Sequence, residues 1–525
     1  MSRQLLSVVV FCGVLSTIAA DTIPGGDVYG TWYAANSPYY IVGDISIPVD
    51  STLNIEPGVV VDFQPWYYFQ VNGFLEAGGT ITDSIHFLCS GGTWLGIDFE
   101  NAPDSSHLAY CTVQNVDDLF GPHHGAITCY MSNPVITHCR ITENWQTYYG
   151  FYGAGGIYLH TSSPVISWCN ISQNHSPWLG GGIHCRYNSS PVIEYCDIRE
   201  NSTNTENPTG AGGGIYVTGG CSPVITNCTI EGNTSINGGG IACQDGSVTI
   251  NECTIANNLA NGYNCAGAGI WIAGGAGCNG IITRSTIDSN AVVYNIPGPG
   301  GGIYANCETL LVDHCTFVDN SPADHGAVIG WAIHTEGNTA LLLTNSIVQG
   351  RNSVIDRLIG LFSASVSISY SDFYQYRDAF VGNLPPGLGE LTQVNYNGDS
   401  CDVYCNIFLD PLFVDYSNAD YHLLLGSPCI DAGDPAFAYD PDSTITDMGR
   451  YWFNQTGVAE ISITRTSNHT YRGATIFRGP LQLPEGRKCK VFDITGRLVE
   501  PDKIQSGIYF IEVDGVVTQK VVKVR

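Results

Sequence analysis

One phrase recurs along the chain and constrains everything else. The pattern P-V-I-x-x-C-x-I-x-x-N occupies Pro134–Asn144, Pro164–Asn174, Pro191–Asn201 and Pro223–Asn233, with degenerate copies at Val248–Asn258, Gly280–Asn290, Leu310–Asn320 and Ala340–Gly350 and an incomplete one around Cys111. A second phrase alternates with it: Gly-Gly-Ile ending at Ile157, Ile183, Ile215, Ile241 and Ile303, Gly-Ile at Ile270, and looser versions ending at Ile127 and Ile333. The full period runs from 25 to 32 residues. Short β segments divided by Gly and Asn at that period, without helical spacing, imply a solenoid in which each repeat is one coil of parallel strands.

Alternation of side chains along a strand then assigns directions. In the P-V-I-x-x-C-x-I strand, Cys139 and Ile141 point inward and Arg140 outward; in the Gly-Gly-Ile strand, Ile157 and Leu159 point inward and Tyr158 outward. Equivalent residues of successive coils stack about 4.8 Å apart. One inward column reads Cys111, Cys139, Cys169, Cys196, Cys228, Cys253, Ser285 and Cys315, and another reads Cys129, Leu159, Cys185, Val217, Cys243, Ile272 and Ala305. Cysteine exchanging with Leu, Val and Ile at one position implies packing. In-register neighbours also keep their Cβ atoms farther apart than the roughly 3.8 Å a disulfide prefers. These are therefore read as buried free thiols, and Cys401 and Cys405, in a loop-like stretch, as the pair to be bridged. Asn144, Asn174, Asn201, Asn233, Asn258, Asn290 and Asn320 form a column at the strand-ending turn, as in stacked amide ladders.

These motifs resemble the right-handed parallel β-helix superfamily of pectate-lyase-like proteins, over roughly residues 44–400. The resemblance implies an all-β fold and says little of activity, because one architecture hosts many functions. Residues 21–105 are read as the entrance cap and first coils, 106–400 as the repeats and 401–453 as an Asp-rich exit. A cap is needed because an open coil end would template aggregation.

Arg3 precedes an apolar run from Leu5 to Ile18 that ends Ala19-Ala20 before Asp21, the form of a secretory signal peptide over residues 1–20. No later stretch reaches the roughly 18 apolar residues of a membrane span. Charge is divided sharply: residues 1–450 hold 9 basic and 41 acidic groups, net −32, and residues 451–525 hold 11 and 7, net +4. No Lys precedes Lys488. That excludes a nucleic-acid partner, which needs a basic face to neutralise phosphates.

After Asn454 the chain changes to strand alternation with Lys and Arg, in runs at Lys490–Ile494, Ile508–Val513 and Thr518–Val524, read as a small antiparallel β-sandwich over 454–525. The stretches Lys490-Val-Phe-Asp-Ile-Thr-Gly-Arg497, Gly507-Ile-Tyr-Phe-Ile-Glu and Lys520-Val-Val-Lys-Val-Arg525 resemble the C-terminal sorting domain of type IX secretion cargo. The resemblance implies passage through the outer membrane of a Gram-negative bacterium by that machinery, then surface attachment or release.

Three groups of residues carry candidate chemistry. The outward position of the Gly-Gly-Ile strand holds Thr128, Tyr158, His184, Tyr216, Ala242, Trp271, Tyr304 and His334. Six of the eight are rings, and a linear row of flat faces with polar tips suits sugar stacking; mutual stacking to stabilise the sheet is the alternative. A charged patch gathers Arg140, Glu194, Asp197 and Arg199, with His138 and Trp168 nearby. A carboxylate beside arginine there acts as a base or the guanidinium binds a uronic acid, unless the group is simply a surface ion-pair network. Asp440, Asp442 and Asp447 alternate in a turn-rich segment, a spacing that suits Ca²⁺ or ordinary Asp turns. The Ca²⁺-carboxylate and G-H-G/R-x-K elements of lyases and polygalacturonases are not matched: Asp117-Asp118 and His123-His124-Gly125 fall in one coil and no R-x-K follows. The leading expectation is an exported solenoid that binds polysaccharide or another extracellular polymer along its coils, with a uronate-polymer lyase or glycoside hydrolase and a structural adhesin as the rivals.

Overall fold

Each eleven-residue phrase folds as two short strands rather than one, for example Val135–Thr137 and Arg140–Thr142. An unbroken strand of that length would run about 36 Å, too long for one side of a coil. The break falls on the residue before the cysteine, which adopts left-handed φ in coil after coil: Tyr110 49°, His138 53°, Trp168 55°, Tyr195 52°. The expected single strand is thereby corrected. Cys139 and Ile141 do face inward and Arg140 outward, but Glu194 stands on a different wall from Asp197 and Arg199.

The computed structural model describes residues 20–118, 124–147, 153–205, 209–293, 299–322, 331–351, 357–455, 474–477, 481, 489–493, 497–505, 507–513 and 516–523. Apart from Ala20, the expected signal peptide lies outside the described residues, as does His123. Two compact units divide the chain, residues 1–453 and 454–525.

The first unit is a right-handed parallel β-solenoid. Its first wall contains the Gly-Gly-Ile strands, such as Ile157–His160, and its second wall strands such as Val165–Ser167. The third wall stacks fourteen parallel strands from Asp21–Ile23 to Asp372–Tyr374. A fourth wall of six short strands runs from His175–Ser176 to Ser321–Pro322. Register is exact to the residue: Ile127, Ile157, Ile183, Ile215, Ile241, Ile270 and Ile303 pair in file on the first wall. The glycines that precede this file are required by closeness of neighbouring coils. A Cβ on Gly181 would lie 2.4 Å from Gly213 O, and one on Gly213 2.5 Å from Gly239 O.

Polar ladders line the corners inside the solenoid. Between second and third walls, Cys139 N donates to Cys169 Sγ at 3.4 Å, Cys169 N to Cys196 Sγ at 3.5 Å and Cys196 N to Cys228 Sγ at 3.4 Å. Each thiol donates in turn to a carbonyl, Cys139 Sγ reaching Leu108 O and Thr137 O at 3.3 Å each. Serine does the same farther along: Cys253 N donates to Ser285 Oγ at 3.1 Å and Ser285 Oγ to Thr283 O at 2.8 Å. The column is a hydrogen-bonded ladder as well as packing, built of buried free thiols. Burial pushes the Cys139 and Cys169 thiols well up and Cys315 up to about 12, keeping them protonated as donors. The asparagine column, at the third-to-fourth corner, bonds amide to amide: Asn174 Nδ2 donates to Asn201 Oδ1 and Asn201 Nδ2 to Asn233 Oδ1, both at 3.0 Å.

Beyond the last coil, the chain turns back along the third wall as a return segment. Tyr416 Oη donates to Asp319 at 2.6 Å, Tyr421 Oη to Asp288 at 2.8 Å, and His314 Nε2 meets Thr446 Oγ1 at 2.6 Å. The expected Cys401–Cys405 bridge does not form; both thiols are free. Asp402 Oδ1 accepts from the amides of Tyr404 and Asn406, and this turn leaves Cys401 buried with Ile407, Cys429 and Met448 while Cys405, at φ 62°, stays partly exposed. Among the described residues no helix is long and apolar enough to cross a membrane.

Among the described residues the second unit holds a five-stranded sheet in the order Ala474–Phe477, Val516–Lys523, Gly507–Val513, Cys489–Asp493, Leu498–Val499. Its first pair is parallel and the others antiparallel, in keeping with the small antiparallel β-unit expected over 454–525. Val491, Ile504, Tyr509 and Ile511 form its buried cluster.

Candidate functional site

The aromatic row of the first wall stacks in the expected register, Thr128 on Tyr158, His184, Tyr216, Ala242, Trp271, Tyr304 and His334. It is not an open groove. Tyr158, His184, Tyr216 and His334 are each 4 % exposed or less. In the middle of the row the loop that leads back to the Gly-Gly-Ile strand lies over the rings, Leu179 and Ala211 packing with Tyr216 and Ala242, and Leu179, Ala211, Asn237 and Ala266 of that loop pair from coil to coil. Gly153 O sits 2.9 Å from His184 Nδ1. Burial pulls the His184 imidazole down to about 3 and pushes the Tyr216 phenol up to about 12. His184 and Tyr216 therefore remain neutral, and the rings pack on one another, Tyr158 against His184 at 5.2 Å and His184 against Tyr216 at 5.0 Å. Only Trp271 and Tyr304, 6.5 Å apart and nearly parallel, keep part of their surface in solvent. Period two gives side-chain direction but cannot reveal which outward face a loop will cover.

Exposed rings stand elsewhere, on the left-handed corner between second and third walls. Tyr110 stacks on His138 at 4.5 Å, His138 on Trp168 at 6.0 Å and Trp168 on Tyr195 at 4.3 Å, with 4° between the last two planes. Trp168 is 54 % exposed and Tyr195 43 %. Left-handed φ tips these side chains out of the coil, so neither wall buries them. Strand alternation does not apply to such a residue, so the sequence placed His138 and Trp168 near the charged patch without joining them to Tyr110 and Tyr195 in one row, although each ring directly precedes a ladder cysteine.

The charged patch lies beside this row and divides at the corner. Arg140, Asn170 and Asp197 stack in one column of the third wall; Thr142, Ser172, Arg199 and Glu231 stack in the next. Arg199 Nη2 bonds Asp197 Oδ1 at 3.2 Å and Nη1 bonds Glu231 Oε2 at 2.7 Å. Glu194 is around the corner on the second wall, between Ser167 and Thr226. Arg140, Asn170, Ser172, Gln173, Arg199 and Glu200 line a shallow hollow of about 450 Å³. Asp197 and Glu231 both pair with the one Arg199 guanidinium, and Arg140, Asn170, Ser172 and Gln173 set further hydrogen-bonding groups around it.

A family model for a right-handed β-helix region matches residues 95–277 and 207–371. The chain belongs to the right-handed β-helix family. No curated protein matches it. For a β-helix protein, membership accounts for the coils and leaves the chemistry to side chains on the outer walls.

Two further places complete the β-helix surface. Arg450 anchors the end of the return segment: Nη1 donates to Thr254 Oγ1 at 2.7 Å and Thr286 Oγ1 at 3.0 Å, and Nη2 to Glu252 O at 3.1 Å. A second hollow, of about 280 Å³, opens there between the corner residues Asn227, Glu252 and Arg284 and the return-segment residues His422, Tyr451 and Trp452. The three aspartates of the turn-rich segment, read as suiting Ca²⁺ or ordinary Asp turns, accept backbone amides. Asp440 Oδ2 accepts from Asp447 N, Asp442 Oδ1 from Thr444 N, and the two Asp447 oxygens from the amides of Asp431 and Phe453. Among the described residues no three His, Cys, Asp or Glu side chains converge to hold a metal.

Proposed function

We propose that this is an exported β-helix protein that binds polysaccharide along the outside of its coils. The observation that carries the reading is the exposed ring ladder Tyr110–His138–Trp168–Tyr195 beside the arginine-lined hollow. Its rings repeat at 4.3 to 6.0 Å, close to the coil spacing, and offer flat apolar faces with polar donors next to them. Trp271 and Tyr304 are the accessible remainder of the first-wall row and make a second, shorter platform. Affinity electrophoresis of the full chain through gels containing plant, algal and bacterial polysaccharides tests this. Retardation in at least one gel is expected, and Trp168→Ala with Tyr195→Ala should remove most of it; unchanged retardation of the double variant sinks the reading.

Export rests on the apolar leader and on the resemblance of residues 454–525 to a type IX sorting domain, whose β-rich character the five-stranded sheet supports. A reporter protein carrying residues 454–525 behind a signal peptide should reach the cell surface or medium of a bacterium with that machinery. Retention of the reporter in the periplasm overturns this part alone.

A further inference from the structure

The two hollows on the third wall are consecutive. Register runs without a gap from Arg140 through Asn170, Asp197, Thr229 and Thr254 to Thr286. The first hollow occupies the first three of these coils and the second hollow the next three. Five coil steps make a path of about 24 Å, crossing one three-residue strand obliquely.

The aromatic supply changes hands at the midpoint. On the second-to-third corner the file reads Tyr110, His138, Trp168, Tyr195 and then Asn227, Glu252, Arg284. Rings stop at Asn227, and there the return segment brings Tyr451 and Trp452 alongside, with His422 stacked on Tyr451 at 4.2 Å. Arg450, bonded across two coils, holds that wall in position.

Charge supplies the second argument. The first unit carries nine Lys and Arg residues: Arg3, Arg140, Arg186, Arg199, Arg284, Arg351, Arg357, Arg377 and Arg450. Four of the nine, Arg140, Arg199, Arg284 and Arg450, line these two hollows on a unit whose net charge is otherwise strongly negative. Among the described residues no carboxylate lies within 4.0 Å of the Arg140 or Arg284 guanidinium. Guanidinium groups so placed pair with carboxylate or sulfate oxygens of a ligand.

Building on the polysaccharide-binding reading, we propose that the two hollows are halves of one six-coil cleft for a linear anionic polysaccharide, with residues 450–452 of the return segment as the wall of its far half. The ligand lies along the ring ladder in the near half, passes between Arg140 and Arg199, and continues under Trp452 to Arg284.

Calorimetric titration of the full chain with three oligosaccharide series, each from disaccharide to decasaccharide, tests the cleft: uronate oligomers, sulfated oligomers and neutral glucose oligomers. Affinity should climb with length across the cleft in at least one anionic series and stay weaker throughout the neutral one. Trp168→Ala should weaken short and long anionic oligomers alike. Trp452→Ala and Arg284→Gln should leave the shortest binding oligomers as in the wild type and weaken the longest by roughly three- to tenfold, the size of one aromatic or ionic contact. Arg284 is exposed, so its variant carries the test even if Trp452→Ala alters the return segment, and Trp452→Phe should restore most of the loss. Response in the uronate series assigns the charge to carboxylates and response in the sulfated series to sulfate esters. Equal affinity for neutral oligomers overturns the anionic assignment. Wild-type length dependence in both far-half variants overturns the continuous cleft and leaves the ring ladder standing, whereas loss of all Trp168 dependence removes the underlying reading.

Discussion

Cysteine and serine are interchangeable in the corner ladder because the site asks for a small side chain that both accepts and donates. Cys196 Sγ accepts from Cys169 N and donates to Glu194 O at 3.3 Å, the role that Ser285 Oγ fills three coils on. Cys196→Ser should therefore shift stability by less than about 1 kcal/mol, since the bonds survive the exchange. Cys196→Val keeps the volume and strands the buried Cys169 amide, which should cost about 1–3 kcal/mol. Urea unfolding of both variants checks the pair, and equal stability of serine and valine variants would show that packing alone sets this column. No disulfide framework forms among the described cysteines, and in the stacked file the reason is distance: parallel in-register neighbours stand a full strand spacing apart.

At the scale of elements, buried carboxylates help tie the return segment to the third wall and to itself. Asp372 is fully buried, its Oδ1 accepting from Leu409 N at 3.0 Å, and desolvation pushes its carboxyl up to about 8. Desolvation also raises Asp447, up to about 7. Both groups favour the protonated form in the fold, so between the unfolded value near 3.9 and the folded value the unfolded chain binds fewer protons. Their contribution is full below that unfolded value and is lost as pH rises towards about 7 for Asp447 and about 8 for Asp372. Asp372→Asn retains an acceptor for Leu409 N and removes the titration. Denaturation midpoints at a mildly acidic and a mildly alkaline pH should lie closer together in this variant than in the wild type. An unchanged gap would mean that Asp372 is ionised in the fold.

On the scale of the whole molecule, the first unit concentrates negative charge along a single solenoid, 41 acidic against 9 basic groups up to residue 450. Self-repulsion of this size opposes compaction and is screened as the Debye length contracts from about 30 Å at 10 mM salt to about 8 Å at physiological strength. The thermal midpoint of the coils should rise over that range, and a flat or falling midpoint would indicate that the ion pairs outweigh the repulsion. The sequence alone determined what depends on neighbours in the chain and on exact repetition: the parallel coils, their register, the inward cysteine and asparagine files, and the outward face of Arg140, Asp197 and Arg199. Periodicity suffices there, because every coil poses the same packing problem to its neighbours. What lies outside the period was decided only in three dimensions. The loops that bury Tyr158, His184 and Tyr216, the left-handed corner that exposes Trp168 and Tyr195, and the arrival of Trp452 beside Arg284 from 168 positions along the chain each depend on contacts that no local pattern encodes.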